Sequence, residues 1–224
     1  NAQGHALRSP TMGAPYSLTD LHIVQGHVVF PGAGYLEMAR AAATMALCGV
    51  FFVQPLAADA AEVHSVECAV GDGRFEVRSG TFEDDGSALD EPTVHCTGAT
   101  RSDNLVQRAE RAPSERAAWG WAPAHARSCA WAAHVCALYA GFDAVGLQYG
   151  PGYRTLARAW SGGTSEADAR LRVRAAREGT HVHPADLDDA LCTGALLAPG
   201  GGGETRLPFA VEDVLLREAA GEPL

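Results

Sequence analysis

Apolar residues gather at Ile23, Val24, Val28, Val29 and Phe30, and their β-branched and aromatic character predicts an extended stretch over 18–30. Pro31 and Gly32 end it. The next run, GYLEMARAAATMAL over 34–47, is built of strong helix formers and predicts a helix. Glu37 and Arg40 are its charged residues, so it should be buried on most sides. Residues 1–17 show no comparable period and read as irregular.

Alternation then takes over. RFEVRSGTFE at 74–83 and TVHCTGATR at 93–101 alternate polar with apolar and predict strands, with turn signals in GDG at 71–73 and EDDGS at 83–87. The stretch 102–128 is rich in Ala, Arg, Ser and Pro and reads as a surface linker. Beyond it come a helix over 130–142, a turn-rich segment over 146–156 and an alternating strand over 167–175. HVHPADLDDALCTGALL at 181–197 reads as strand, proline, helix; a loop follows at 199–204 and a last strand at 207–216.

VVFPGAGYLEMA and HVHPADLDDALC share one design: strand, proline, then leucine and an acid in the opening of a helix. Each half would wrap a curved antiparallel sheet around one helix, and the two would lie side by side as a continuous sheet. The boundaries expected are 1–110 for the first unit, 111–129 for a linker and 130–224 for the second.

Composition narrows the class. The chain has 224 residues, 47% of them hydrophobic, which suits a globular protein with a real core. Its net charge of −10 argues against non-specific binding to nucleic acid or an anionic membrane. No apolar run is long enough to span a bilayer, and the first residues lack a signal-peptide pattern. The six cysteines, Cys48, Cys68, Cys96, Cys129, Cys136 and Cys192, form no CxxC pair. They read as reduced thiols in a cytoplasmic setting, and no Cys/His cluster has the spacing of a zinc site.

Four motifs carry a family resemblance. His22-x-x-x-Gly26-x-x-x-x-Pro31 followed by GAGYLE resembles the HxxxGxxxxP motif of polyketide synthase dehydratase domains. GLQYGPGY at 146–153 resembles their GYxYGPxF motif, HPADLDDALC at 183–192 their HPALLDxxxQ/H motif, and LPFAVEDVLL their closing strand. The motifs stand in the family's order and run nearly end to end. The resemblance implies an α+β double hotdog, two antiparallel sheets each wrapped around a central helix and fused in one chain.

It also implies a chemistry that suits these residue types. Dehydration of a 3-hydroxyacyl thioester takes a proton from C2 and gives one to the departing C3 hydroxyl. Imidazole fits the first task because it titrates near neutrality, and a carboxylic acid fits the second if an apolar site keeps it protonated. The resemblance assigns His22 as base and Asp188 as acid, meeting at the seam between the halves. Backbone N–H groups near Gly32 and Ala33, at the start of the helix after Pro31, would face the thioester oxygen. Gly26, Pro31, Tyr149, Gly150, Pro151 and Cys192 complete the expected substrate site. His183 reads as structural, Asp186 and Asp189 as acids favoured by the helix dipole, and His27 has no assigned role. Two departures stand out. Cys192 occupies the position where the family has Gln or His to orient the aspartate, and a thiol does this poorly. Leu21 stands where the family often has Asp.

The implied function is elimination of water from a 3-hydroxyacyl chain on acyl carrier protein, giving the 2,3-unsaturated thioester. Proton transfers alone need no metal or redox cofactor; the acyl chain rides on phosphopantetheine. Expected partners are the acyl carrier protein, neighbouring polyketide synthase domains and a second copy of the chain. The alternatives are a product-template or cyclase-like domain, a double-bond isomerase, and a degenerate structural domain, which Cys192 would favour.

Overall fold

A computed structural model describes residues 5–10, 19–43, 46–58, 65–82, 89–101, 131–161, 167–175, 177–197 and 204–214. The expected linker 111–129 and the turn at 83–87 lie outside the described residues. The main layer is a six-stranded antiparallel sheet. It is made of β1 (His5–Pro10), β4 (Ala46–Phe52), β5 (Ser65–Gly71), β6 (Arg74–Phe82), β7 (Leu89–Arg101) and β12 (Ala210–Val214), in the order β1-β5-β6-β7-β4-β12. Helix α1 (Gly32–Ala43) lies on it, contacting β1, β4, β5, β6 and β7. This is the helix-in-sheet unit of a hotdog, and with the second half the fold is an α+β double hotdog.

Two smaller sheets carry the rest. β8 (Trp131–Ala133), β10 (Leu156–Ser161) and β11 (Ala167–Leu171) form one in the order β11-β10-β8; β2 (His22–Val24), β3 (His27–Val28) and β9 (Leu147–Tyr149) form the other in the order β3-β2-β9. Among the described residues the strands thus form three sheets rather than one continuous sheet. Helix α2 (Val135–Ala144) packs on β9 and β10, while α3 (Pro184–Cys192) contacts α1 and β11. The halves exchange strands: β9 pairs with β2, and β12 with β4.

Several predicted elements shift, each for a local reason. The extended stretch 18–30 is a hairpin, because Gln25 and Gly26 take φ of 51° and 84° and turn β2 into β3. Only a residue without Cβ enters that second position freely, which accounts for Gly26 in the motif. The helix predicted to 47 gives way to β4 at Ala46, where pairing with β7 overrides helix propensity. The region 1–17, read as irregular, contains the edge strand β1, which is paired with β5. The helix predicted from 130 starts at Val135, since 131–133 pairs with β10. Of residues 181–183, read as a strand, the first two are bends and His183 caps the helix. The missed strands β5, β9 and β10 sit in segments without clean alternation.

The first core lies between α1 and the large sheet. Leu36, Leu47, Val50, Val66, Phe75 and Val77 fill it, and Leu187 of α3 reaches into it. The second joins Val24, Tyr139, Phe142, Leu147, Tyr153 and Leu156 under α2 and β9. Each fully buried side chain of this kind contributes about 2 kcal/mol. Glu37 ties the cores together: its carboxylate takes two bonds of 2.9 Å from Arg40 and one of 2.8 Å from the His181 amide, just ahead of α3. Among the described residues, no helix is long and apolar enough to cross a membrane.

Gly98 of β7 lies under Phe75, and a Cβ there would sit 2.5 Å from the ring. Phe75 is 1% exposed and has nowhere to retreat. Gly98→Ala should therefore destabilise the fold by about 1–3 kcal/mol, the usual range for overpacking, seen as a lower denaturant midpoint.

Candidate active site

His22 is placed by the strand pairing itself. In β2 it stands opposite Tyr149 of β9, so the first half's histidine faces the second half's tyrosine. The hairpin returns Val29 beside it: the Val29 amide donates to the His22 carbonyl at 3.1 Å, and Nδ1 of the His22 ring lies 2.7 Å from the Val29 carbonyl oxygen. A carbonyl only accepts, so in the neutral ring Nδ1 carries the hydrogen and Nε2 is the bare nitrogen. The rings of Tyr149 and Tyr153 flank the imidazole at 5.6 and 5.4 Å.

Nε2 points across the seam to Asp188, with 3.9 Å to Oδ1. Both residues are buried. The separation is longer than a hydrogen bond and leaves the two groups facing one cavity. Burial raises the Asp188 carboxyl above the ordinary carboxylate range, and the neighbouring Asp189 adds to the rise. His22, Tyr149 and Cys192 act against it. Cys192, one helical turn on, has its Sγ 3.8 Å from Asp188 Oδ2 and 3.2 Å from the Tyr149 hydroxyl. Its thiol is pushed well up by burial, so it stays protonated and offers only a weak donor.

The two acids side by side on α3 have different work. Asp189 is 1% exposed and accepts from the Tyr139 hydroxyl at 2.8 Å, the Thr155 hydroxyl at 2.7 Å and the Thr155 amide at 2.5 Å. It anchors α3 to α2 and the start of β10, which corrects its reading as a dipole-favoured acid. Asp186 does lie in the first turn of α3, where Arg174 pairs with it at 2.8 Å. His183 caps the helix, its Nδ1 accepting from the Ala185 amide at 3.1 Å.

His22, Asp188, Tyr149, Cys192 and Gly32 all line a cavity of about 710 Å³, with Phe30, Tyr35 and Phe52 on a further wall. Gly32 is the first residue of α1, where amides lack an intrahelical acceptor. The other expected site residues lie off the cavity. Ala33 is fully buried in the first core, Pro31 is buried ahead of α1, and Gly26 makes the hairpin turn. Gly150 and Pro151 shape the chain after β9: the Gly150 amide donates to the Leu21 carbonyl at 2.8 Å, and a Cβ on Gly150 would stand 2.7 Å from the Leu21 side chain. Tyr153, Thr155 and the Val29 carbonyl were not singled out by pattern. Tyr153 alone had a signal, as the aromatic that closes the YGPGY motif.

Comparison with known proteins shows the family and the fold. Residues 2–82 match the family model described as polyketide synthase dehydratase domain, and 121–224 match the one described as polyketide synthase dehydratase N-terminal domain. Polyketide synthase ThaG of Burkholderia thailandensis is 35% identical over 192 residues, covering 76% of this chain but 3% of that protein's length. The dehydratase domain from the CurF module of curacin polyketide synthase superposes with a TM-score of 0.71 at 21% identity, over 96% of this chain and 79% of that one. An inactive aspartate-to-asparagine mutant of the CurK dehydratase superposes with a TM-score of 0.70 at 19% identity, over 94% of this chain and 76% of that one. A histidine-to-phenylalanine mutant of the same dehydratase is also inactive.

Two stability measurements separate the paired acids. A carboxyl raised in the folded state binds more protons there than in the unfolded chain, so its contribution is full below the unfolded value and lost as pH rises through the folded one. Asp188→Asn removes that loss. The variant should melt higher than the wild type at neutral pH, the gap closing toward about pH 4. Asp189→Ala instead strands three buried donors and should destabilise by about 2–4 kcal/mol in chemical denaturation.

Proposed function

Because this chain belongs to the polyketide synthase dehydratase domains, we propose that it eliminates water from a 3-hydroxyacyl thioester to give the 2,3-unsaturated thioester. The observation that carries the reading is the buried His22–Asp188 pair at 3.9 Å across the seam. His22 Nε2, the bare nitrogen of the neutral ring whose Nδ1–H faces the Val29 carbonyl, takes the C2 proton. The C2–H electron pair forms the double bond, the C3–O bond breaks, and the protonated Asp188 gives its proton to the departing hydroxyl as water. Return of the proton from His22 to Asp188 resets the pair. Negative charge that builds on the thioester oxygen is met by the Gly32 amide at the helix start, where the dipole favours it.

The arrangement supports the enzyme over a degenerate scaffold, because a scaffold has no use for two titratable groups aimed at one cavity. The substrate would arrive on the phosphopantetheine arm of an acyl carrier protein, and no other cofactor enters the proton transfers. Its thioester would enter the 710 Å³ cavity. Neighbouring polyketide synthase domains supply that carrier, and a second copy of the chain is a further expected partner.

The test is incubation with a 3-hydroxyacyl pantetheine thioester, followed by mass for the loss of one water. His22→Ala should keep the wild-type far-UV spectrum and lose about a hundredfold or more in rate, as expected for a missing general base. Asp188→Asn should lose the acid proton and most of the turnover. In the wild type the rate should fall as pH climbs through the raised Asp188 value, because the acid must hold its proton. Full activity in a folded His22→Ala variant would reject the assignment.

A further inference from the structure

Tyr35 is a buried polar group in the cavity wall that this mechanism leaves without a role. It lies one turn into α1, is 2% exposed, and its side chain forms part of the cavity that holds His22 and Asp188. Among the described residues, its hydroxyl is a buried polar atom without a hydrogen-bond partner. The Leu56 amide lies near enough to ease the phenol's raised pKa but closes no hydrogen bond. The ring stacks on Phe30 at 5.0 Å and on His95 at 5.9 Å, each with the planes 18° apart. Phe30 has no polar atom to offer. His95 has both ring nitrogens engaged, one with the Ser79 hydroxyl at 2.7 Å and one with the Gln54 carbonyl at 3.1 Å.

A phenylalanine at this position would fill the same space without burying a hydroxyl. An unpaired buried hydroxyl is destabilising, so its presence beside a substrate cavity points to a ligand that pairs with it. Two flanking rings hold the phenol in place before any ligand arrives, which lowers the cost of ordering it. Phe30 and Phe52, which also line the cavity, are apolar and suit alkyl chain. We propose that Tyr35 is a specificity residue, whose hydroxyl hydrogen-bonds an oxygen carried by the substrate's acyl chain beyond C3. A phenol donates to a ketone and exchanges donor and acceptor with a hydroxyl, so either oxygen function fits. The inference rests on the dehydratase reading above and extends it from the reacting carbons to the chain.

The experiment compares 3-hydroxyacyl pantetheine thioesters of equal length, one with a plain alkyl chain and others with a ketone or hydroxyl at successive positions beyond C3. The wild type should prefer one oxygenated thioester over the alkyl one by about tenfold in kcat/KM, the effect of one neutral hydrogen bond. In Tyr35→Phe that ratio should collapse toward one, and the ligand-free variant should melt no lower than the wild type. A ratio that survives in Tyr35→Phe, or a wild type that prefers none of the oxygenated chains, overturns the proposal. So does a lower melting temperature, which would make the hydroxyl a structural bond. Binding of the same thioesters is measured by calorimetry alongside. If nothing is dehydrated, the dehydratase reading fails, and the binding ratio still decides Tyr35.

Discussion

The pairing of β2 with β9 is the contact on which the site depends. It is short, three residues on each side, and it sets His22 opposite Tyr149. Strand side chains alternate between faces, so a slip of one residue would turn His22 away from the cavity and put Leu21 or Ile23 in its place. The register is guarded at both ends. The Gly150 amide is bonded to the Leu21 carbonyl, and the Gln25 amide to the Gly146 carbonyl at 2.7 Å. The tight fit of Gly150 and Gly152 against Leu21 adds a steric lock.

Helix α3 faces another demand, to give two adjacent buried carboxyl groups different partners. Residues next to each other on a helix point about 100° apart, so Asp188 and Asp189 look into different surroundings. Asp189 is raised by burial as well, but it meets three donors, which favour its charge and work against that rise. Asp188 meets a histidine nitrogen and a distant thiol, and burial favours its neutral form. A charge held on Asp189 also discourages ionisation of Asp188. The anchor thus helps the acid keep its proton, although it touches nothing in the cavity.

Sequence reading carried the motifs well and the strands unevenly. His22, Asp188, Tyr149 and Cys192 were legible because they occur at fixed spacings, and the structure brings all four to one cavity. Proline-led helices were legible for the same reason, and α1 and α3 start at Gly32 and Pro184. What escaped was set by tertiary context. β1 has no alternation of its own and exists as an edge added to β5. Ala46 and Leu47 carry helix propensity but lose it to pairing with β7. Asp189 resembled any first-turn acid, since nothing in the sequence shows that Thr155 and Tyr139 would converge on it. The glycines and prolines of the motifs were read as substrate contacts, whereas most of them shape the backbone that presents the contacts.

Cys192 changes how the acid is oriented. An amide or imidazole at this position would hold Asp188 by a strong hydrogen bond, but a thiol at 3.8 Å holds it weakly. Orientation must then come from the helix. α3 is fixed on several sides: Leu187 is sunk in the first core, Ala185 in the second, Asp189 is bonded to Thr155 and Tyr139, and Arg174 links Asp186 to the Gly152 carbonyl. With the backbone held this way, Asp188 has little freedom beyond its own side-chain rotation, and the Tyr149 hydroxyl limits that by closing the space between Cys192 and the carboxyl. Packing in this chain therefore takes over a task that a side-chain hydrogen bond performs when glutamine or histidine is present. The thiol, smaller than either of those side chains, leaves a roomier and less polar corner in the cavity beside Asp188.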